Sequence, residues 1–351
     1  MTRAGSPPID TLWYTRCPVP TATSVAVERG WLDEEFAPDG IRVISLRAST
    51  APDVRESHFD HRQANSFRQG GNIPPIWTRA RGGDVVVVAL SWVDEYQAIL
   101  ALPESGIRTV KDLRGRRVGL PLRRHDQIDF FRAMCLRGVL TALALEGLAP
   151  RDVEWVDLPV EERYLGPEAA DRSATLWSGG HRARRQRADA FALIRGEVDA
   201  IHTSGAAGAH LAAFLGAHEV IELGFHPDPA VRTGNETPET LTVSGSLARQ
   251  RPDLVARWLA RTLAAADWAA SHRAEVASIV ADEVGVPREW VDAGYSPDFH
   301  RRLAPDLRED WVAALADQAG FLLRRGFIQR NVDVAEWIDP GPLALARRAA
   351  P

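Results

Sequence analysis

Short apolar runs alternate along this chain with longer stretches of helical periodicity. The predicted strands cover residues 11–15, 41–46, 84–91, 153–158, 196–201, 218–223 and 240–244, with a turn leading into a further strand at 112–120. The predicted helices cover residues 21–33, 127–145, 252–272, 274–283, 287–293 and 309–324, with a short one opened by Pro74 and Pro75. The segment 47–72 is polar and irregular, which predicts a long loop. Strands alternating with helices, followed by a helical C-terminal third, predict an α/β fold with crossover connections.

Composition limits the class of protein. The chain has 351 residues, of which 45% are hydrophobic and 25% charged, the balance of a soluble globular protein long enough for two lobes. Its formal net charge of −5 argues against a nucleic-acid binder, which needs a basic surface. No apolar run reaches the roughly 18 residues of a membrane span. We therefore expect neither nucleic acid nor a membrane as a partner, and we expect a monomer.

The N-terminus has no apolar core of the length that a secretory signal requires, so the cytoplasm is the expected location. A cysteine near position 20 can also carry the lipid of a bacterial lipoprotein. Here Tyr14, Thr15 and Arg16 stand directly before Cys17, where a lipoprotein needs small and apolar residues. The sequence argues against a lipoprotein.

Cys17 is one of only two cysteines, and it lies where the first predicted strand gives way to a helix. The N-terminus of a helix can stabilise a thiolate, and ligands of α/β folds bind beyond the carboxyl ends of strands. The other cysteine, Cys135, falls inside a predicted helix without a comparable polar setting. Cys17 is therefore the candidate reactive thiol, against the simpler alternative of a small buried hydrophobic residue.

Three segments resemble recurring signatures of the type II periplasmic-binding-protein fold, which includes sulfonate, nitrate and taurine binders. They are DLRGRRVG at 112–119, GEVDA at 196–200 and RPDLV at 251–255. The resemblance implies two lobes with the site in the cleft between them. We expect lobe I at residues 1–95 and 245–351, and lobe II, inserted and covering the substrate, at residues 96–244.

The first eighty residues carry a more specific resemblance. TLWY at 11–14, CPVP at 17–20, HF at 58–59 and RQGGNIPP at 68–75 resemble the 2′-hydroxybiphenyl-2-sulfinate desulfinases of the dibenzothiophene desulfurisation pathway. The resemblance continues over nearly the whole chain, for example in SLARQRP at 246–252 and DFHRRL at 298–303. It implies an enzyme that cleaves the carbon–sulfur bond of an aromatic sulfinate with water and releases sulfite, without a metal or organic cofactor.

The resemblance also implies a role for individual residues. Cys17 corresponds to the catalytic cysteine and His58 to the active-site histidine, while Arg68 and the backbone N–H of Gly71 correspond to the groups that bind the sulfinate. An arginine can donate two parallel hydrogen bonds to such an anion. Because glycine has no Cβ, the backbone N–H groups of Gly70 and Gly71 can approach it closely.

Two chemical routes stay open. In one, the Cys17 thiolate attacks sulfur and gives a thiosulfonate-like intermediate, which water releases as sulfite. In the other, the Cys17 thiol protonates the ring carbon and water attacks sulfur afterwards. His58 would tune or shuttle the proton in either route, since an unperturbed histidine titrates near neutrality.

The other candidate residues also have simpler interpretations. His58 and His61 form an HxxH pair of the kind that can bind a metal, but a single aspartate lies between them and no cysteine pair supports a metal site. Arg68 on a loop would by default face solvent. Gly70 and Gly71 would by default form a turn before the next helix.

Two features near the middle of the chain have less specific interpretations. The run RARRQR at 182–187 is read as a solvated helix start, because the net charge disfavours a nucleic-acid patch. In the resembled family, one segment near this region and another around the catalytic histidine become ordered when substrate binds. The SGG stretch at 178–180 is the candidate hinge.

The part of the pattern that would bind the aryl group departs from the resembled family. His61 stands where the family has an aromatic residue and Gln69 where it has phenylalanine, and the helix from residue 127 offers Phe130, Phe131 and Met134 without the expected tryptophan. We therefore expect an aromatic sulfinate other than the biphenyl one. The alternatives are a solute-binding protein for an aromatic sulfonate or sulfinate that feeds an ABC importer, and another cytosolic enzyme on this fold, such as one of pyrimidine-precursor or menaquinone synthesis.

Overall fold

The computed structural model describes residues 9–165 and 187–349. The predicted hinge at 178–180 and the basic run at 182–187 fall outside the residues whose side chains it describes. The chain divides into two compact units: the first takes residues 1–92, 238–279 and 300–351, and the second takes residues 93–237 and 280–299. Of the helices described, none combines the length and the apolar character that crossing a membrane requires.

A five-stranded sheet forms the centre of the first unit. Its strands are β1 (Thr11–Arg16), β2 (Arg42–Ser45), β3 (Ser66–Gly70), β4 (Val85–Ser91) and β10 (Glu239–Ser244). Their order across the sheet is β2-β1-β3-β10-β4, with β1 parallel to β2 and β3, and β10 antiparallel to β3 and β4. β3 is therefore an interior strand with backbone hydrogen bonds on both sides.

Helices surround this sheet. They are α1 (Ala22–Glu28), α2 (Trp31–Phe36), α3 (Pro52–Asp60), α4 (Ile73–Ala80), α9 (Gly245–Gln250), α10 (Pro252–Ala269), α11 (Arg273–Val284), in which the division between the units falls, α13 (Glu309–Arg324), α14 (Val334–Trp337) and α15 (Gly341–Ala349). Trp258 of α10 stacks on Phe67 of β3 with the ring centroids 4.1 Å apart, and it also contacts Phe36 of α2. All three side chains are buried, so this aromatic cluster attaches α10 and α2 to one face of the sheet.

Among its described residues, the second unit contains two smaller sheets. Its strands are β5 (Gln97–Ala101), β6 (Arg117–Leu122), β7 (Glu154–Pro159), β8 (Ile201–Ser204) and β9 (His218–Glu222). β5 lies between β8 and β9 and is antiparallel to both, while β6 and β7 form a parallel pair. Its helices are α5 (Phe130–Leu145), α6 (Arg187–Ile194), α7 (Gly205–Leu215), α8 (Pro229–Arg232) and α12 (Glu289–Gly294). The described part of the chain also has short 3₁₀ helices at Ala37–Asp39, Leu46–Ala48, Pro103–Ser105, Val110–Leu113, Pro150–Asp152 and Phe299–Arg301.

Residues 280–299 belong to the second unit, whereas the lobes expected from the sequence put them in lobe I. The backbone N–H of Tyr96 donates to the carbonyl of Gly294, and Glu95 forms a β-bridge with Tyr295. α12 also packs so closely on α7 that a Cβ on Gly294 would lie 2.2 Å from the Cα of Ala206. These contacts join residues far apart in sequence, so a local sequence pattern does not predict them.

The segment 47–72, predicted as a loop, contains two regular elements. α3 starts with Pro52 in its first turn, and β3 pairs with β1 on one side and with β10 on the other. β3 carries one strongly apolar residue, Phe67, in the sequence SFRQG, so its pattern lacks the alternation that marks a strand. The prediction was wrong because this strand is stabilised by its neighbours in the sheet.

The single helix predicted at 21–33 is two helices. α1 begins at the N-cap residue Thr21, whose hydroxyl accepts the backbone N–H of Ser24. Gly30 adopts a left-handed conformation with φ of 74°, and the chain turns there before α2. Glycine adopts this conformation without steric cost, so it divides an otherwise continuous helical pattern.

Candidate active site

Cys17 follows directly on β1, at the carboxyl end of a strand in the parallel part of the sheet. Its backbone N–H donates to the carbonyl of Gln69 on β3 over 3.0 Å, which extends the pairing of the two strands by one residue. The side chain is 6% exposed. The thiol is therefore held against β3 with little access to bulk solvent.

His58 lies in α3 and not on the predicted loop. Its Nδ1 is 2.8 Å from the hydroxyl oxygen of Thr15, and its Nε2 is 3.9 Å from the sulfur of Cys17. The ring of Phe59 meets the imidazole edge to face at 4.9 Å. The ring orientation is thus defined by contacts, and one nitrogen is directed to the thiol.

Arg68 extends from β3, where the sequence predicted a loop, and its guanidinium has three hydrogen bonds. Nε donates to the carbonyl of His58 over 3.0 Å, Nη1 to the carbonyl of Gly71 over 2.7 Å, and Nη2 to the sulfur of Cys17 over 3.2 Å. The residue is 2% exposed, and none of the ion pairs in the described part of the chain involves it. A buried cation without a carboxylate partner favours a nearby anion, and the acceptor at hand is the Cys17 sulfur.

Gly70 ends β3 with φ of 143°, a backbone conformation that residues with a side chain rarely adopt. A Cβ on this residue would lie 2.4 Å from both Cβ and Sγ of Cys17. Only a residue without a side chain lets Cys17 sit this close to β3. The sequence-predicted residues Cys17, His58, Arg68, Gly70 and Gly71 therefore converge in one cluster inside the first unit.

His61 is buried beside this cluster but has different partners. Its Nδ1 lies 3.1 Å from the carbonyl of Phe59, and its Nε2 lies 3.3 Å from the hydroxyl of Thr242. Burial and the positive charge of Arg68 lower the pKa of His61 to about 3, so the ring is neutral. The two histidines of the HxxH pair thus have separate sets of contacts, and no group of three metal-ligating side chains is found in the residues that the structure describes.

Thr15 was not singled out from the sequence as a contributor to the cluster, and Gln69 was noted there only as a departure from the family pattern. Thr15 contacts His58, as described above. In β1 its side chain points to the opposite face from that of its neighbour Arg16, and this alternation is the local signal that could have found it. Gln69 accepts the N–H of Thr23 in α1 and donates to the hydroxyl of Ser91, which in turn donates to the carboxylate of Glu239. Gln69, Ser91 and Glu239 are each 1% exposed, so a buried polar network stands behind the strand that carries Arg68.

The second unit holds the aromatic residues that the sequence assigned to the aryl group. Phe131 and Met134 of α5 line a cavity that is also bordered by Cys135, Asp189 and His202. Phe130 instead packs its ring against Tyr164, with centroids 5.2 Å apart. The second unit thus places a buried cysteine and a buried histidine, Cys135 and His202, at one cavity.

Similarity to known proteins identifies the family. A family model described as NMT1/THI5 like matches residues 24–175. The 2′-hydroxybiphenyl-2-sulfinate desulfinases of Rhodococcus erythropolis and Rhodococcus qingshengii are each 30% identical to this chain over 350 residues, which covers 94% of this chain and 92% of theirs. This chain belongs to the 2′-hydroxybiphenyl-2-sulfinate desulfinase family. The family named from the sequence motifs is confirmed.

Solved structures agree with membership of the desulfinase family. A cysteine-to-serine variant of the enzyme DSZB, crystallised with biphenyl-2-sulfinic acid, superposes with a TM-score of 0.76 and 27% identity, covering 97% of this chain and 99% of that one. The desulfurization enzyme DSZB itself gives a TM-score of 0.75 and 29% identity over the same shares. The aliphatic sulphonate-binding protein SsuA of Escherichia coli, at 18% identity and a TM-score of 0.65 over 95% of this chain and 92% of its own, shares the fold. The predicted α/β fold of the periplasmic-binding-protein kind is confirmed.

Proposed function

We propose that this protein is a desulfinase that cleaves the carbon–sulfur bond of an aromatic sulfinate with water and releases sulfite. Membership of the desulfinase family supports the reaction class. The observation that carries the proposal is the buried guanidinium of Arg68, which donates to the Cys17 sulfur and has no ion-pair partner among the described residues. A site built in this way favours an anion beside Arg68, either the Cys17 thiolate or a sulfinate.

Arg68 would hold the sulfinate oxygens. Two of its N–H groups now donate to the carbonyl of Gly71 and to Cys17, and both acceptors are weaker than an anionic oxygen. A sulfinate would replace one or both contacts with charge-assisted hydrogen bonds. The carbonyl of Gly71 accepts from the same guanidinium, so Gly71 lies beside the place proposed for the anion.

The overall reaction joins one water to one sulfinate and gives an arene and hydrogen sulfite. In the proton-donor route the Cys17 thiol protonates the ring carbon, the carbon–sulfur bond breaks, sulfur dioxide adds water, and the released proton restores the thiol. In the nucleophilic route the Cys17 thiolate bonds to sulfur, the ring carbon leaves with the bonding pair and takes a proton, and water then displaces Cys17 from the SO₂ group. His58, with Nε2 facing Cys17, is placed to carry the proton in both.

Sulfite release tests the function. Purified protein is incubated with a panel of aryl sulfinates, and sulfite and arene are measured for the native chain, Cys17→Ser and Cys135→Ser. We expect Cys17→Ser to lower kcat by at least about 10³-fold, as for the loss of a reacting group, and Cys135→Ser to retain activity. Undiminished turnover in Cys17→Ser would refute the role of this cysteine. Tight sulfinate binding without turnover in the native chain would instead favour a solute-binding protein.

Rapid quenching during turnover separates the two routes. Intact-protein mass spectrometry would find Cys17 carrying an SO₂ group if the thiolate attacks sulfur, and an unmodified protein if the thiol donates its proton to carbon.

The same panel of aryl sulfinates tests which aryl group the protein prefers. Gln69 replaces the phenylalanine expected in the family pattern and is engaged in the polar network with Ser91, so we propose a preferred sulfinate other than the biphenyl one.

A further inference from the structure

Thr15 lies on the far side of the His58 ring from Cys17. Its hydroxyl oxygen is 2.8 Å from Nδ1 of His58, while Nε2 of the same ring is 3.9 Å from the Cys17 sulfur. Thr15 is 4% exposed and lies two residues before Cys17 on β1, opposite Arg68 on β3. The strand thus places the hydroxyl and the thiol at the two nitrogens of one imidazole.

We propose that Thr15 is a positioning residue that orients His58 with Nε2 towards Cys17 and keeps Nδ1 hydrogen-bonded in each protonation state of the ring. Arg68 already donates to the Cys17 sulfur, which marks the sulfur as an acceptor. When the sulfur is a thiolate and His58 is neutral, an N–H on Nε2 points at the sulfur only if Nδ1 is the bare nitrogen, and the Thr15 hydroxyl then donates to Nδ1. When His58 is an imidazolium, Nδ1–H donates to the same hydroxyl oxygen.

A hydroxyl suits this position because it both donates and accepts. The imidazole can therefore gain or lose a proton at Nε2 while the hydrogen bond at Nδ1 is kept. Proton transfer between Cys17 and His58 then requires no rotation of the ring. The inference rests on the proposed desulfinase activity for its part in turnover, but the reactivity of Cys17 tests it without any sulfinate.

The charged groups around His58 permit a clean readout. Arg68 on β3 carries a fixed charge, and Arg55, one turn earlier on α3, is tied to the carbonyls of Ser49 and Thr50. His61, with a pKa of about 3, is neutral near neutral pH. On α4, which packs against α3, Arg79 acts on Asp84. Glu56 and Asp60 flank His58 on α3. Because Thr15→Val keeps both of them, a difference between this variant and the native chain reports the Cys17 and His58 pair.

The test compares Thr15→Val, which keeps the shape and removes the hydroxyl, with Thr15→Ser, which keeps the hydroxyl. Thr11→Val is the matched control, because Thr11 lies on the same strand and its hydroxyl accepts from Arg42, far from His58. The pH dependence of Cys17 alkylation by iodoacetamide is followed by peptide mass spectrometry. We expect Thr15→Val to slow alkylation near neutral pH by about fivefold and to shift its pH midpoint upwards, with Thr15→Ser and Thr11→Val close to the native chain.

With a sulfinate that is turned over, Thr15→Val should lower kcat and leave KM unchanged, since the three hydrogen bonds of the Arg68 guanidinium go elsewhere than to the Thr15 hydroxyl. An unaltered alkylation profile in folded Thr15→Val overturns the inference. If that variant does not fold, ¹⁵N NMR of the native chain decides, because a His58 Nδ1 without a hydrogen bond would equally overturn it. A shifted alkylation profile in a protein that releases no sulfite from any sulfinate would refute the proposed function and leave the role of Thr15 standing.

Discussion

Each of the two units buries a cysteine and a histidine, and their surroundings differ. In the first unit Cys17 and His58 contact one another. Arg68 donates a hydrogen bond to the Cys17 sulfur, and the Thr15 hydroxyl forms one with His58. In the second unit Cys135 and His202 line one cavity, and neither ring nitrogen of His202 has a hydrogen-bond partner in the part of the chain that the structure describes. Burial is common to both pairs, so the polar partners are what distinguish the first pair from the second.

The electrostatics of the second unit oppose ionisation. Burial raises the pKa of the Cys135 thiol well above its ordinary value and lowers the pKa of His202 to about 4. It also raises the pKa of Asp189, which lines the same cavity, to about 7, against the opposing effect of Arg123. The cavity therefore favours the neutral form of each group, whereas the Arg68 guanidinium in the first unit favours an anion.

The sharpest test of this comparison is the reactivity of the two thiols. Iodoacetamide should modify Cys17 at least about 10³-fold faster than Cys135 near neutral pH, because burial raises the pKa of the Cys135 thiol well above its ordinary value and keeps it protonated. Peptide mass spectrometry of the native chain gives both rates in one experiment. Alkylation of Cys135 at a comparable rate in the folded protein would contradict the comparison. Unfolding in urea is the control, since it should make the two rates similar.

Removing the buried positive charge of Arg68 should weaken sulfinate binding almost as strongly. Arg68→Met keeps the volume and removes the guanidinium, and we expect KM for a sulfinate to rise by about 10³-fold through the loss of two charge-assisted hydrogen bonds. Arg117→Met is the control, because Arg117 pairs with Asp199 in the second unit. Steady-state kinetics gives both values. An unchanged KM in Arg68→Met would show that Arg68 does not contact the substrate.

Asp189→Asn separates the two opposing titrations of the second unit. Protonated Asp189 favours folding, a contribution complete below pH 3.8 and lost as pH rises through about 7. Neutral His202 favours folding above pH 6.5, and this contribution is lost as pH falls towards about 4. In Asp189→Asn only the titration of His202 is left, so the stability of the variant should rise as pH increases from about 4 to 6.5. Above pH 7 the variant should be more stable than the native chain by about 2–4 kcal/mol, because it carries no buried carboxylate at position 189.

Urea unfolding at a series of pH values measures this, with hydrogen exchange of peptides from the second unit to locate it. Asp53→Asn changes an exposed carboxylate of the first unit and should leave the pH dependence as it is. A variant no more stable than the native chain above pH 7 would mean that Asp189 is ionised at little cost.

The smallest effect concerns the two glycines that admit these side chains. A Cβ on Gly138 would lie 2.3 Å from the His202 ring, so Gly138→Ala should cost about 1–3 kcal/mol of stability, and His202→Ala should recover most of it. A Cβ on Gly70 would meet Cys17 at 2.4 Å, but Gly70 also has a positive φ. Adding Cys17→Ala to Gly70→Ala should therefore recover only part of the loss. Equal recovery in the two urea-unfolding cycles would contradict this difference.

Local pattern was sufficient for several elements of the fold. Three of the four valines that open β4 are buried, and the strand pairs with β10, as an apolar strand pattern predicts. β1 ends one residue before Cys17, and α13 (Glu309–Arg324) has the predicted bounds. These elements bury a continuous apolar run or face, and such a pattern is readable without knowing the partner.

β3 shows where local pattern fails. Four of its five residues are polar or glycine, yet every one is buried. The buried polar groups of β3 have hydrogen-bond partners in β1, in β10 and elsewhere in the chain. For example, the backbone N–H of Thr23 donates to the side chain of Gln69. A polar strand of this kind is stable only inside its sheet, so Arg68 was placed on a loop.

The sequence by itself determined the family, the fold class and the identities of the candidate residues, because motifs and apolar periodicity are local properties. The tertiary structure decided that they meet: Arg68 and Cys17 are 51 positions apart, and Thr15 and His58 are 43 apart. It also decided which cysteine lies beside a guanidinium and which lies in a cavity that keeps it neutral. Charge and hydrogen bonding act through space, and only the packed sheet brings those groups within reach of one another.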